Sequence, residues 1–153
     1  MAAAGKWKLY EQAKLDIANG LMDLDTHSYK IALFTSASNC NTLSGTTTLA
    51  SLTNQVATAN GYTQNSKAVT LTTANSGGTI TVDETTNPSW TANGGSITAR
   101  FAVIYNDTHA SKQALCVCLL DTAPADVTAT DGNTFTITQN SSGIFTISGA
   151  SID

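Results

Sequence analysis

The stretch Ser96-Ile-Thr-Ala-Arg-Phe-Ala-Val-Ile-Tyr-Asn106 decides the fold class. Its apolar residues Ile97, Ala99, Phe101, Val103 and Tyr105 recur at every second position. That is the period of a β-strand with one face on a core. After a turn at Asn106-Asp-Thr-His109, the apolar run Gln113 to Asp121 follows, and the two predict an antiparallel hairpin. Toward the N-terminus, Tyr29, Ile31 and Leu33 alternate with Lys30, Ala32 and Phe34, a strand with two largely apolar faces. Val69-Thr-Leu71 and Ile80-Thr-Val82 read as short strands rich in β-branched residues. Toward the C-terminus, Thr128 to Thr138 contains Asp131-Gly132, the dipeptide of a type I′ hairpin turn. Gly143 to Ser148, with Ile144, Phe145 and Ile147, supplies a last strand. Asn60-Gly61, Ser76-Gly77-Gly78 and Asn93-Gly94-Gly95 are turn chemistry between strands. The segment from Cys40 to Tyr62 fits least well and carries a helical turn around Leu49 to Gln55. The pattern predicts a mainly β fold, an antiparallel β-sandwich of jelly-roll-like type.

The N-terminal texture is different. Trp7, Tyr10, Ile17, Leu21 and Leu24 step at helical spacing, which predicts an amphipathic helix of about four turns whose last turn Gly20 weakens, or a helix plus an irregular end. The expected organisation is therefore residues 1–27 as helix and junction, and 28–153 as the sandwich. An apolar stripe on a helix must pack on something. Trp7, Tyr10, Ile17 and Leu21 are candidate interface residues, facing either their own domain or a partner.

Composition narrows the function classes. Only 12% of the 153 residues are charged, about half the ~25% of ordinary domains. Threonine (26), serine (14) and asparagine (12) replace them. A net charge of −4 with a single arginine, Arg100, repels a phosphate backbone, so nucleic acid is excluded as a partner. Charges interrupt the N-terminal segment at Lys6, Lys8, Glu11, Lys14 and Asp16, the mark of neither a signal peptide nor a membrane span. Synthesis in the cytoplasm without a membrane partner is the expectation.

No residue pattern announces chemistry. The odd count of cysteines, Cys40, Cys116 and Cys118, argues against a disulfide framework, and they read as buried small hydrophobes. His27 and His109 lie at a junction and in a turn, without a nucleophile motif. Asp121, Asp126 and Asp131 match no calcium-loop spacing. Adjacent Asp83 and Glu84 point to opposite faces of a strand and form no catalytic pair. Neither a catalytic site, a metal nor a cofactor is expected. Arg100, in mid-strand, needs a carboxylate or carbonyl partner, so a structural salt bridge or an intersubunit contact is expected there.

Read in order, several stretches resemble a family of small tailed-bacteriophage virion proteins. They are Tyr29-Lys-Ile-Ala-Leu-Phe-Thr35, Asn60-Gly-Tyr62, Trp90, Gly94-Gly-Ser-Ile-Thr-Ala-Arg-Phe-Ala-Val-Ile-Tyr105, Cys118-Leu-Leu-Asp121, Asp131-Gly-Asn-Thr-Phe-Thr-Ile-Thr138 and Gly143-Ile-Phe-Thr146. The resemblance covers roughly residues 5 to 148, and Asn65-Ser-Lys67 departs from the glycine-rich turn expected after Gly61-Tyr62. It implies a jelly-roll-like virion structural protein that decorates, or cements, a capsid. The implied partners are copies of itself, as a homotrimer or secondarily a dimer, and the major capsid protein. The other role the resemblance allows is a tail, neck or head-fibre module that binds a host receptor or glycan, with Trp90 on the recognition surface.

Overall fold

The computed structural model describes residues 5–45, 47–121, 123, 125–140 and 142–149. Residues 1–4 and 150–153, at the outer bounds of the two expected segments, lie outside them. The described chain is mainly β and antiparallel. Its strands are β1 (Lys8–Leu9), β2 (Tyr29–Phe34), β3 (Lys67–Val69), β4 (Leu71–Ser76), β5 (Thr79–Glu84), β6 (Ser89–Thr91), β7 (Ile97–Ala99), β8 (Phe101–Asn106), β9 (Ala114–Leu119), β10 (Val127–Ala129), β11 (Thr134–Thr136) and β12 (Phe145–Ser148). Among the described residues there is one α-helix, α1 (Glu11–Ala18), and one 3-10 turn, Leu49–Ser51, which meets the expected helical turn.

The expected hairpin is the spine of the largest sheet, ordered β1-β9-β8-β2-β3. In β8 and β9 nearly every residue is buried, as a strand covered on both faces requires. The turn between them is held by Asp107, which bonds Lys30 and Lys112, each at 2.8 Å. Those two cations hold its carboxyl below the usual range, the Lys112 bond contributing most. Strand β2 also behaves as read, buried at Tyr29 and from Ile31 to Phe34.

Elsewhere the sequence reading needs correction. Ser96 to Asn106 is not one strand. It breaks at Arg100 into β7, which pairs with β10, and β8, which pairs with β2 and β9. The single alternating face from Ile97 to Tyr105 therefore stops at the break. Asp131-Gly132 does not close a hairpin either, since β10 and β11 pair with β7 and β6 respectively. Only Gly132 has positive φ there (79°), whereas a type I′ turn needs it at both central residues. Type I′ backbone occurs instead at Asn60-Gly61 (53°, 86°) and Gly77-Gly78 (59°, 79°).

The N-terminal segment takes the second of its two expected forms, a shorter helix with irregular chain after it, and the helix starts later than Trp7. Trp7 precedes extended residues, since Lys8 and Leu9 pair with Val117 and Cys116. Past Ala18 the helix closes with Gly20 N–H donating to Ile17 O (3.1 Å) and Leu21 N–H to Asp16 O (2.8 Å). This is a Schellman end. Gly20 thus terminates the helix, and Leu21 and Leu24 lie beyond it. Because β1 is the outer strand of the main sheet, no break in pairing separates residues 5–27 from the rest.

A smaller sheet, β12-β5-β4, has two different faces. Register pairs Leu71 with Glu84, Thr73 with Val82, Asn75 with Ile80, Ile80 with Ile147 and Val82 with Phe145, which puts these residues on one face. At its base this face is buried, at Leu71, Val82 and Glu84. Toward the Gly77-Gly78 turn it runs off the core, and Ile80 and Ile147 are each 38% exposed. The other face carries Thr72, Ala74, Ser76, Thr79, Thr81, Thr146 and Ser148 with one charge, Asp83, and none of these residues is buried.

Candidate interaction surface

Trp7 and Tyr10 are not on a surface. Trp7 is 7% exposed, and its indole N–H donates to Gln139 Oε1 at 2.8 Å. Tyr10 is fully buried and its hydroxyl donates to Cys40 O at 2.6 Å. Burial pushes that phenol far above its ordinary pKa. Both rings anchor the N-terminal segment to the chain's own core, the first of the two expected alternatives for the stripe.

Ile17 is half-buried against that core, while Leu21 is 50% exposed and Leu15, not singled out by the spacing, 53%. Beside the helix runs a shallow cleft of about 420 Å³, lined by Leu9, Ile17, Ala18 and the charged Lys14 on one bank and by Ile147 with Thr146 and Ser148 on the other. With Ile80 next to Ile147 in register, the cleft and the overhanging sheet form one apolar strip.

Arg100 sits where β7 gives way to β8. Its N–H donates to Phe34 O (2.8 Å) and its carbonyl accepts from Leu120 N–H (3.0 Å), so the bend is stitched to both flanking segments. The guanidinium Nε lies 2.7 Å from Asp126 Oδ1, with the carboxylate side chain 40% exposed. This is the structural salt bridge among the two expected alternatives.

Trp90 contradicts the glycan surface proposed for it. It is 4% exposed, with its ring 5.4 Å from Tyr62 and 6.3 Å from Phe135, both in tilted or edge-on packing. A sugar stacks on an open ring face, and these faces are covered. Tyr62 in turn accepts the Leu33 N–H at 3.1 Å, tying the cluster to β2.

Sequence reasoning missed Glu84. The sequence shows it only as half of a non-catalytic pair, and its neighbour Asp83 does point the other way. Glu84 itself shares the face of Val82 and is 4% exposed. Its Oε1 accepts the Thr86 N–H at 2.7 Å and the Thr86 hydroxyl, while Oε2 has no partner among the described residues. Burial raises its pKa, and the Thr86 bonds oppose that rise without cancelling it. Period two from Ile80 and Val82 was the signal available.

The cysteines are free and buried, as expected. The described residues hold no cluster of three or more His, Cys, Asp or Glu side chains able to bind a metal ion, and no helix long and apolar enough to cross a membrane. No family model, curated protein or solved structure matches the chain.

Proposed function

We propose that the chain is a bacteriophage virion structural protein that decorates the capsid, without catalytic activity of its own. The reading starts from the resemblance of residues 5 to 148. The observation that carries it is the surface just described: a Thr/Ser-rich sheet face with a single charge, Asp83, beside an apolar strip, with the tryptophans and tyrosines buried. A protein that adheres to a shell in many copies needs a stable β scaffold and surfaces that pack without charge repulsion. Adhesion of this kind depends weakly on salt. We further read the ribbons β6/β11 and β7/β10, with the β12-β5-β4 sheet, as the second layer of a jelly-roll-like sandwich over the main sheet.

The partners in this reading are the major capsid protein and copies of the chain itself. Of trimer and dimer, the strand edges favour the dimer, for the reason developed below. The test is the number of copies per particle, measured by quantitative mass spectrometry of purified virions against the major capsid protein. Hundreds of copies support decoration. A few dozen or fewer would overturn it in favour of a tail, neck or fibre module, and absence from the particle would overturn both.

A further inference from the structure

We propose that β4 is a self-association edge, pairing antiparallel with β4 of a second copy to join two three-stranded sheets into one of six. This deepens the self-association part of the function above but does not depend on a virion.

Strand β4 lies at the edge of its sheet and keeps unbroken register with β5 over all six residues. The direction of its backbone groups follows from the turn. In a two-residue hairpin the residues flanking the loop, here Ser76 and Thr79, exchange hydrogen bonds. Ser76, Ala74 and Thr72 therefore direct N–H and C=O toward β5, and the bond from Thr85 N–H to Thr70 O (3.1 Å) keeps the same parity beyond the strand. Leu71, Thr73 and Asn75 direct theirs outward.

Natural edges are guarded by lysine, proline or a bulge. Leu71-Thr-Thr-Ala-Asn-Ser76 has none of these, and Thr72 to Ser76 are all exposed. What selects a second copy is charge and symmetry together. The chain is acidic overall, yet β4 carries no charge, so a two-fold pairing brings no like charges face to face. A two-fold axis at Thr73 places Thr73 opposite itself and Leu71 opposite Asn75, which satisfies all three outward-facing residues in both copies. The axis is perpendicular to the sheet, so the Ile80 and Ile147 strips of both copies fall on one side and double the apolar face.

The experiment uses the full chain. In sedimentation velocity the wild type is expected as a dimer at micromolar concentration. Thr73→Lys sets two ammonium groups against each other at the axis, and Thr73→Pro removes an outward N–H that β5 does not use. Each is expected to raise the dimer dissociation constant about tenfold or more, with circular dichroism unchanged. Ser148→Lys, the same charge on the opposite edge, leaves the dimer intact. A positive measurement accompanies these. The native cysteines are all buried, so Thr73→Cys offers a lone accessible thiol. Paired Cα atoms about 5.5 Å apart lie within disulfide range, and mild oxidation is expected to trap a covalent dimer. A monomeric wild type at high concentration would overturn the proposal. So would a dimer indifferent to both Thr73 variants, or one broken by Ile147→Lys in the helix cleft but not by Thr73→Lys. These outcomes leave the virion copy number untouched, so the contact and the role fail separately.

Discussion

Replacing Gly61 by alanine tests how the two halves of the structure are locked together. Gly61 has φ 86°, and a Cβ built on it falls 2.0 Å from Thr91 O in β6 and 3.2 Å from Asn93 N. Gly132 is its natural control, with a similar φ of 79° and nothing within 4 Å. Left-handed backbone costs an alanine about 1–2 kcal/mol, and both variants bear that cost. Only Gly61→Ala must also push a backbone carbonyl aside. Doing so breaks the Asn93 N–H to Asn60 O bond, 3.1 Å long, a loss of about 1 kcal/mol. It also disturbs the Tyr62–Trp90 packing next to the turn, at roughly 1–3 kcal/mol for an overpacked site. Gly61→Ala is therefore expected to lose about 3–6 kcal/mol, against about 1–2 for Gly132→Ala. Urea unfolding followed by tryptophan emission reads the difference directly, because Trp7 and Trp90 are both buried. The midpoints of the two variants should differ by about 1 M or more. Coincident midpoints would refute the reasoning, since the close approach to Thr91 would then carry no energy.

Glu84→Gln should raise the melting temperature at pH 7, because folding must otherwise bury an ionised carboxylate; since the folded-state pKa is raised, the wild type gains stability as pH falls through it, and the gap should close in a pH series of thermal melts. Asp126→Asn should cost under about 1 kcal/mol in denaturant titration, because its pair with Arg100 is open to solvent on the carboxylate side. Trp90→Ala should lose about 3–5 kcal/mol of stability with no glycan-array signal in either protein, and sugar binding abolished by this change in a folded variant would contradict the buried assignment. The three thiols should resist a colorimetric thiol reagent until urea unfolds the chain, since all are buried and burial raises their pKa values.

The central strands were legible because their cause is local. In β2, β8 and β9 nearly every residue is apolar, and only burial on both faces explains such a run. What the sequence concealed depends on residues far along the chain. Trp7 and Tyr10 fit a helical stripe, but one is fixed by Gln139 and the other by the Cys40 carbonyl, and no local period carries that information. Trp90 beside polar neighbours resembles a recognition residue until Tyr62 and Phe135 are folded onto it. Arg100 interrupts a strand whose alternation continues through it, because the bend comes from a change of pairing partner rather than a change of residue type. The candidate interface was legible in part. Ile17 lines the cleft of the apolar strip, whereas the sequence marks Ile80 and Ile147 only as strand residues, since their exposure follows from how far β5 and β12 overhang the core.

The bond between Trp7 and Gln139 spans 132 residues. On a ribosome adding about 5–20 residues per second, the indole waits roughly 7–26 seconds before its acceptor exists. Strand β1 waits nearly as long for β9. The segment around Trp7 is thus synthesised well before it can be seated, and until then it offers the cell an uncovered tryptophan. Substitutions at Trp7 or in β1 should change yield and solubility more than their few residues suggest, because they act on a latch that closes late.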